Sequence, residues 1–220
     1  MTDSIPDHWP DEGTTGAVED GVAPMFPLPG VFLFPGQLMP LHVFEPRYRQ
    51  MIEDSLDGPG RMVIGTVLER DRADLSGSPP VVPIAGLGEI AKHEKLPDGR
   101  FLIWLFGIGR VRIEETESDR LYRRVRYQRL AEVGPTENEE GRLRPALVGA
   151  IEQRAGGRLE SADSIPLGAL ADLLANNLTV PEPVMVSLHG ETDVAERARK
   201  AIAADSRFPA RPRDDDSDDE

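Results

Sequence analysis

The sequence predicts an α+β fold, a curled β-sheet carrying one packed helix and followed by a group of amphipathic helices. Three observations predict it. Extended apolar runs punctuated by Pro and Gly fill the chain as far as Ala131. An unbroken strand–turn–strand–helix unit reads off Phe34 to Tyr48, FPGQLMPLHVFEPRY. From Glu137 onward the apolar residues recur at helical instead of alternating spacing.

Residues 1–22 are acid-rich, poor in branched apolar residues and broken by Gly and Pro, the composition of a disordered tail. Order is expected from Met25-Phe26, with short extended runs through Leu28 and Val31–Phe34. Pro27 and Pro29 put this opening on a sheet rim, because proline offers no donor to a ladder. Pro35-Gly36 turns the chain, Leu38–Phe44 forms the next strand, and Pro46 opens a helix, where a missing N–H is no loss. Tyr48, Met51, Ile52 and Leu56 give that helix one apolar face. Asp57-Gly58-Pro59-Gly60 ends it. Arg61–Leu68 is a strand in which Gly65 marks a bulge or close backbone approach, and Glu69–Pro80 is a loop.

The clearest hairpin follows. Val81–Leu96 runs in, Pro97-Asp98-Gly99 turns, and Arg100–Glu115 runs out. The outgoing arm starts apolar on both faces, then alternates Val111 and Ile113 with Arg110 and Arg112, so it is first deeply buried and later half-exposed. Gly107 and Gly109 mark a bend. Leu121–Leu130 is a further strand with Val125 and Tyr127 inward.

Glu137–Gly156 carries Leu143, Leu147, Ala150 and Ile151 on one helical face, and Pro166–Leu178 carries Leu167, Leu170, Leu174 and Leu178. Val184–Leu188 is a short apolar piece. Asp193–Ala204 is a helix capped by Asp193 and Glu196, with Val194, Ala198 and Ile202 inward. The expected organisation is a disordered acidic tail (1–22), a β lobe (23–132), a helical bundle (133–205) and a second acidic tail (206–220).

The totals bound the function. The formal charge is −14. The first tail holds −6 of it and the last −3, leaving −5 for residues 23–205. A mildly acidic body argues against bulk nucleic-acid or anionic-membrane binding, which wants a positive field. Cysteine is absent, which excludes disulfides, thiol catalysis and thiolate metal sites. No window nears the ~20 apolar residues of a membrane span, and the first residues lack the basic start and apolar run of a signal peptide. A cytoplasmic protein is expected. His8, His42, His93 and His189 show no ligand spacing, so neither metal nor cofactor is expected, and His42 reads as a partly buried structural histidine.

Five motifs in one order resemble the LON substrate-binding domain, the N-terminal domain of Lon proteases. They are Phe26-Pro27-Leu28, Leu33-Phe34-Pro35-Gly36, Pro40-Leu41-His42-Val43-Phe44-Glu45-Pro46-Arg47-Tyr48, Leu96-Pro97-Asp98-Gly99-Arg100, and Gly107-Ile108-Gly109-Arg110-Val111-Arg112-Ile113. The resemblance covers residues 24–131 and extends weakly to 203. It implies a PUA-like pseudo-barrel followed by a helical bundle. Ile84-Ala85-Gly86 and Val111 depart from the family's usual Val-Gly-Thr and Phe, as packing substitutions. These 220 residues contain no Gly-x-x-x-x-Gly-Lys-Ser/Thr loop, and Lys92, Lys95 and Lys200 stand in no context like a Ser–Lys dyad. The resemblance therefore implies a non-catalytic protein- or peptide-binding module, an adaptor in protein quality control that presents unfolded clients to a protease or chaperone.

Candidate binding residues fall into two sets. Glu45, Arg47 and Tyr48 either form a polar rim that captures a peptide or hold the helix start together, with Glu45 accepting there, Arg47 pairing with a carboxylate and Tyr48 packing. Phe32, Phe34, Leu38 and Met39 either form an adaptable apolar surface for clients or fill the barrel. The second set lies on the arginine-rich strand from Arg120 to Arg129. There Arg123, Arg124 and Arg126 carry the alternative of a PUA-like RNA-binding module, or bind an acidic partner, or form a solvated face. A hydrolytic site built from Glu45 and His42 is the third class.

Overall fold

The computed structural model describes residues 20–74 and 78–209. The chain is mixed α+β. Its strands are β1 (Gly21–Pro29), β2 (Leu38–Val43), β3 (Arg61–Val67), β4 (Ile84–Lys95), β5 (Phe101–Thr116) and β6 (Arg123–Arg129). Its helices are α1 (Pro46–Leu56), α2 (Glu137–Ala155), α3 (Leu167–Asn176), α4 (Glu182–Gly190) and α5 (Val194–Arg207). Part of the expected loop after β3 is a 3₁₀ turn, Glu69–Asp74. The expected tails lie outside the described residues up to residue 19 and from residue 210.

The sheet order is β2-β5-β4-β3-β1-β6, and β5 also pairs with β6. Five strands thus close on themselves, leaving β2 with one open edge. The length of β5 makes this possible: Phe101–Phe106 pairs with β2, and Val111–Thr116 pairs with β6. Between them the register against β4 shifts, Leu87 facing Gly109 and Gly88 facing Gly107, so Ile108 is the extra residue of a bulge. The hairpin turn has Gly99 at φ +82, and Leu96 N–H donates to Arg100 C=O at 2.8 Å.

Five expectations are corrected. Order begins before Met25, with Gly21 already paired to Tyr127, and α5 runs on to Arg207. The opening strand is a rim over its second half only: β1 pairs with β6 over Gly21–Met25 and with β3 over Met25–Pro29, so Pro27 and Pro29 have a neighbour on one side and the first half is tied into the sheet by β6. Its prolines are tolerated because each half has a neighbour on one side only. The run Val31–Phe34 belongs to no ladder, although Leu33 and Phe34 are buried. Instead it crosses the sheet where two glycines leave room. A Cβ at position 86 would lie 2.2 Å from Leu33 O, and one at position 107 would lie 2.1 Å from Phe34 O. The piece Val184–Leu188 is part of helix α4.

The core has three parts. Met51, Ile52 and Tyr48 of α1 pack with Val43, Met62, Ile64, Phe101 and Ile103, each large apolar side chain contributing about 1.5–3 kcal/mol. Met25, Val63, Leu87, Val111, Val125 and Tyr127 fill the far side of the sheet. Phe34 joins Leu147, Leu170, Leu174, Leu188 and Ala198 beneath helices α2, α3 and α5, which ties the helices to the sheet. Helix α2 starts in a capping box, Thr136 with Glu139, whose carboxyl is held down to about 2 by the donors of Thr136.

Candidate functional site

The site is a groove of about 310 Å³ where β1, the end of β2, the start of α1 and the start of β6 meet. Phe26, Tyr48 and Tyr122 are its buried members, and Phe44 and Leu121 stand out at its rim, 60% and 67% exposed. Pro27, Leu28, Pro29, Leu41 and Pro79 complete its apolar lining. Such exposure of large apolar side chains beside a concavity is what a surface for apolar segments needs.

Local chemistry explains how the residues are held. Pro46 starts α1 after Glu45, whose extended backbone precedes the helix but whose side chain caps nothing. The expected acceptor role at the helix start is therefore corrected. Glu45 turns to Arg47, which donates from Nε at 2.9 Å. The Arg47 guanidinium lies 4.6 Å from the centre of the Tyr48 ring, and that ring packs on Phe26 at 4.3 Å. Burial pushes the Tyr48 phenol up, against the pull of Arg47. Tyr122 donates to Asp54 at 2.9 Å, and burial with that hydrogen bond pushes its phenol up to about 12. Both phenols are neutral donors at any physiological pH. Arg123 pairs with Glu115 through Nε and Nη2 at 2.5 and 2.8 Å, and its Nη1 donates to Pro79 C=O at 2.8 Å. The Arg123 hydrogen bond holds the Glu115 carboxyl below the usual range.

The groove thus unites Glu45, Arg47 and Tyr48 from one expected set with Arg123 from the other. It does not gather Phe32, Phe34, Leu38 and Met39. Phe34 is 1% exposed, wedged between His189, whose ring centre is 5.0 Å away, and the Arg110 guanidinium at 5.6 Å. Met39 is buried in the sheet core, Leu38 is exposed on the open edge strand, and Phe32 is half-buried against the helices. For Phe34 and Met39 the apolar-surface reading gives way to burial: Met39 fills the sheet core and Phe34 fills the seam beneath the helices. His42 is exposed, its ring 5.9 Å from that of Phe44, and Glu45 is engaged by Arg47, so the two form no catalytic pair. Arg124 and Arg126 have no ion pair among the described residues; Arg126 is exposed, and in register it faces Glu114. Phe26, Phe44, Leu121 and Tyr122 are among the groove residues that sequence reasoning missed. One signal was available for Phe44, a large apolar residue beside the Glu-Pro that opens a helix.

A second charged constellation lies in the seam between sheet and helices. Arg110 reaches Asp172 through Nη1 and Nη2 at 3.1 and 2.5 Å, Glu132 at 3.0 Å and the His189 carbonyl at 2.7 Å. Arg197 has Nε 2.8 Å from Asp172 and Nη2 2.7 Å from Glu132, close ion pairs without hydrogen-bond alignment. Two arginines meet two carboxylates, so the cluster is neutral and its charges are consumed internally. Burial pushes the Asp172 carboxyl up, against the pull of both guanidiniums. His189 donates from Nε2 to the Leu33 carbonyl at 2.9 Å, and burial drives its pKa down to about 4, so the ring is neutral. This cluster is architecture: every charge already has its counter-charge. Among the described residues no group of three His, Cys, Asp or Glu could hold a metal, and no helix is long and apolar enough to cross a membrane.

The fold has known counterparts. Residues 22–204 match the ATP-dependent protease La (LON) substrate-binding domain, and the chain belongs to that family. Among full-length relatives, Lon protease 2 of Sorangium cellulosum is 26% identical over 184 residues, covering 79% of this chain and 22% of that protein. Lon protease of Desulforamulus reducens is 27% identical over 188 residues, covering 80% and 23%. The chain thus spans less than a quarter of the length of these relatives. The N-terminal domain of Mycobacterium avium complex Lon protease superposes with a TM-score of 0.65 at 17% identity, over 84% of this chain and 98% of that one. The Lon N-terminal domain protein from Xanthomonas campestris gives 0.62 at 21%, over 83% and 98%. At those identities the likeness is one of fold.

Proposed function

We propose that the chain is a non-catalytic polypeptide-binding module of the cytoplasm, and that the groove is where it holds unfolded segments. The β lobe (23–132), a PUA-like barrel on this reading, carries the groove. The helical lobe (133–205), a bundle, braces it through the Arg110–Asp172 seam. Bound clients are then presented to a protease or chaperone, the role of an adaptor in protein quality control. The observation that carries this reading is the pair of exposed apolar side chains, Phe44 and Leu121, flanking a concavity in a member of a substrate-binding family.

Retention of reduced, carboxymethylated lactalbumin on the immobilised protein tests it. The wild type is expected to retain this permanently unfolded chain, and Phe44→Asp with Leu121→Asp to release it. Folded lactalbumin is expected to pass through. Retention unchanged by the double substitution removes the groove from the reading. Arg124→Glu with Arg126→Glu leaves retention intact on this reading, whereas loss of a salt-dependent RNA shift in that variant would favour the alternative RNA-binding module.

A further inference from the structure

We propose that the groove takes its polypeptide as an added β-strand and recognises backbone N–H groups more than side chains; this rests on the peptide-binding reading above. The ladder geometry of β1 leads there. Gly30 N–H donates to Val67 C=O at 2.9 Å, beside the registered pair Pro29 and Val67. In a parallel ladder alternate residues bond the same neighbour, so Phe26, Leu28 and Gly30 face β3. Pro27 and Pro29 face the other way. That other edge is covered by β6 only as far as Met25, which stands opposite Arg123, the first residue of β6. Beyond that point Leu121 and Tyr122 leave the strand. Among the described residues no strand pairs with that edge at Pro27 and Pro29, which line the groove.

An edge of two prolines offers carbonyl acceptors and no donor. Two copies of such an edge have no donors for one another, so the occupant is not a second copy of this edge. An extended chain presents N–H groups to one side on every second residue, about 7 Å apart, the repeat at which Pro27 and Pro29 present their carbonyls. The opposite wall is a second open edge. Gln37 C=O accepts from Gly107 N–H at 2.8 Å, so Met39, Leu41 and Val43 face β5, and Leu38, Pro40 and His42 turn their backbone groups to the open edge. His42 also lines the groove and keeps its N–H. The occupant is thus an extended segment of an unfolded protein, rich in free backbone amides and with apolar side chains for Phe44 and Leu121. This is strand addition at an edge that β6 leaves uncovered.

Paired probes test it on the full chain. Short fluorescein-labelled peptides of reduced, carboxymethylated lactalbumin are compared with versions in which alternate backbone amides are replaced by esters, in both phases. An ester keeps the shape and removes the donor. Binding is expected to weaken about tenfold in at least one phase, the effect of two lost hydrogen bonds. An all-amide peptide of scrambled sequence is expected to keep its affinity. Equal affinity of amide and ester peptides in both phases overturns strand addition while the groove reading stands, and means the prolines merely blunt the edge. Failure of every all-amide peptide to bind overturns both.

Discussion

Arginine–carboxylate pairs occur in two regions of this molecule, and their surroundings give them opposite roles. In the seam, Arg110 and Asp172 have side chains 1% and 5% exposed, and Arg197 is fully buried. At the groove, Arg47 and Glu45 are 33% and 41% exposed, and Glu115 opposite Arg123 is 49% exposed. Water screens the second group, so its pairs are worth little and can be exchanged for contacts with a ligand. In the first group only Glu132, 40% exposed, reaches water, so removing Arg110 or Arg197 leaves the buried Asp172 charge undercompensated. The lesson is that the same residue types build a rivet in one place and an exchangeable rim in another, and burial alone decides which.

Arg110→Ala breaks the comparison most severely. It leaves Asp172 with one guanidinium in place of two, at an expected cost of about 3–5 kcal/mol read from the urea midpoint. A loss under about 1 kcal/mol would mean the seam is as solvated as the groove.

The pH dependence is next. His189 has a folded pKa of about 4 against 6.5 for the free side chain, so between those values the unfolded chain binds the extra proton. Its contribution is fully present above pH 6.5 and is lost as the pH falls toward 4, on the order of 3 kcal/mol. His189→Gln should flatten the variant's own stability curve in that window, so that the wild type loses more stability than the variant as the pH falls; parallel curves for the two would contradict the buried neutral ring.

Gly107→Ala should cost about 2–3 kcal/mol, because the added carbon meets the Phe34 carbonyl and not a flexible side chain. Thermal unfolding reads it, and Gly109→Ala, with open space around it, is the control expected to be milder.

Arg47→Ala should cost less than about 1 kcal/mol, and Phe44→Asp should stay within about 0.5 kcal/mol. Both are measured by urea unfolding alongside client retention. A groove substitution that destabilised as much as Arg110→Ala would turn the rim into core.

Much of the fold was legible because it rests on short-range pattern. Leu167, Leu170 and Leu174 lie on one buried face of α3 as their spacing predicts, Leu178 is buried but past the helix end, and Val125 and Tyr127 point inward from β6. The Pro97-Asp98-Gly99 turn is where its chemistry puts it. Half of the site was legible in the same way, since Glu45, Arg47 and Tyr48 cluster at a helix start read from Pro46. The other half was not. Leu121 and Tyr122 arrive from a strand start far along the chain, and nothing near them in sequence marks them as neighbours of Phe26. The apolar run at Phe34 misled because periodicity reports burial without reporting what does the burying: the space was cleared by Gly86 and Gly107, distant residues whose missing side chains leave no local trace.

Taken alone, the amino-acid order determined which segments are extended, which are helical, where they turn, and that the chain has the motifs of a substrate-binding domain. These are consequences of φ/ψ preference and of apolar spacing within a few residues. Only the tertiary structure decided that Arg110, Asp172, Arg197 and His189 are one buried cluster while Arg47 and Arg123 frame an open groove. The seam is set by residues far apart in the chain, 62 positions for Arg110 and Asp172 and 79 for Arg110 and His189, and no local pattern carries that distance.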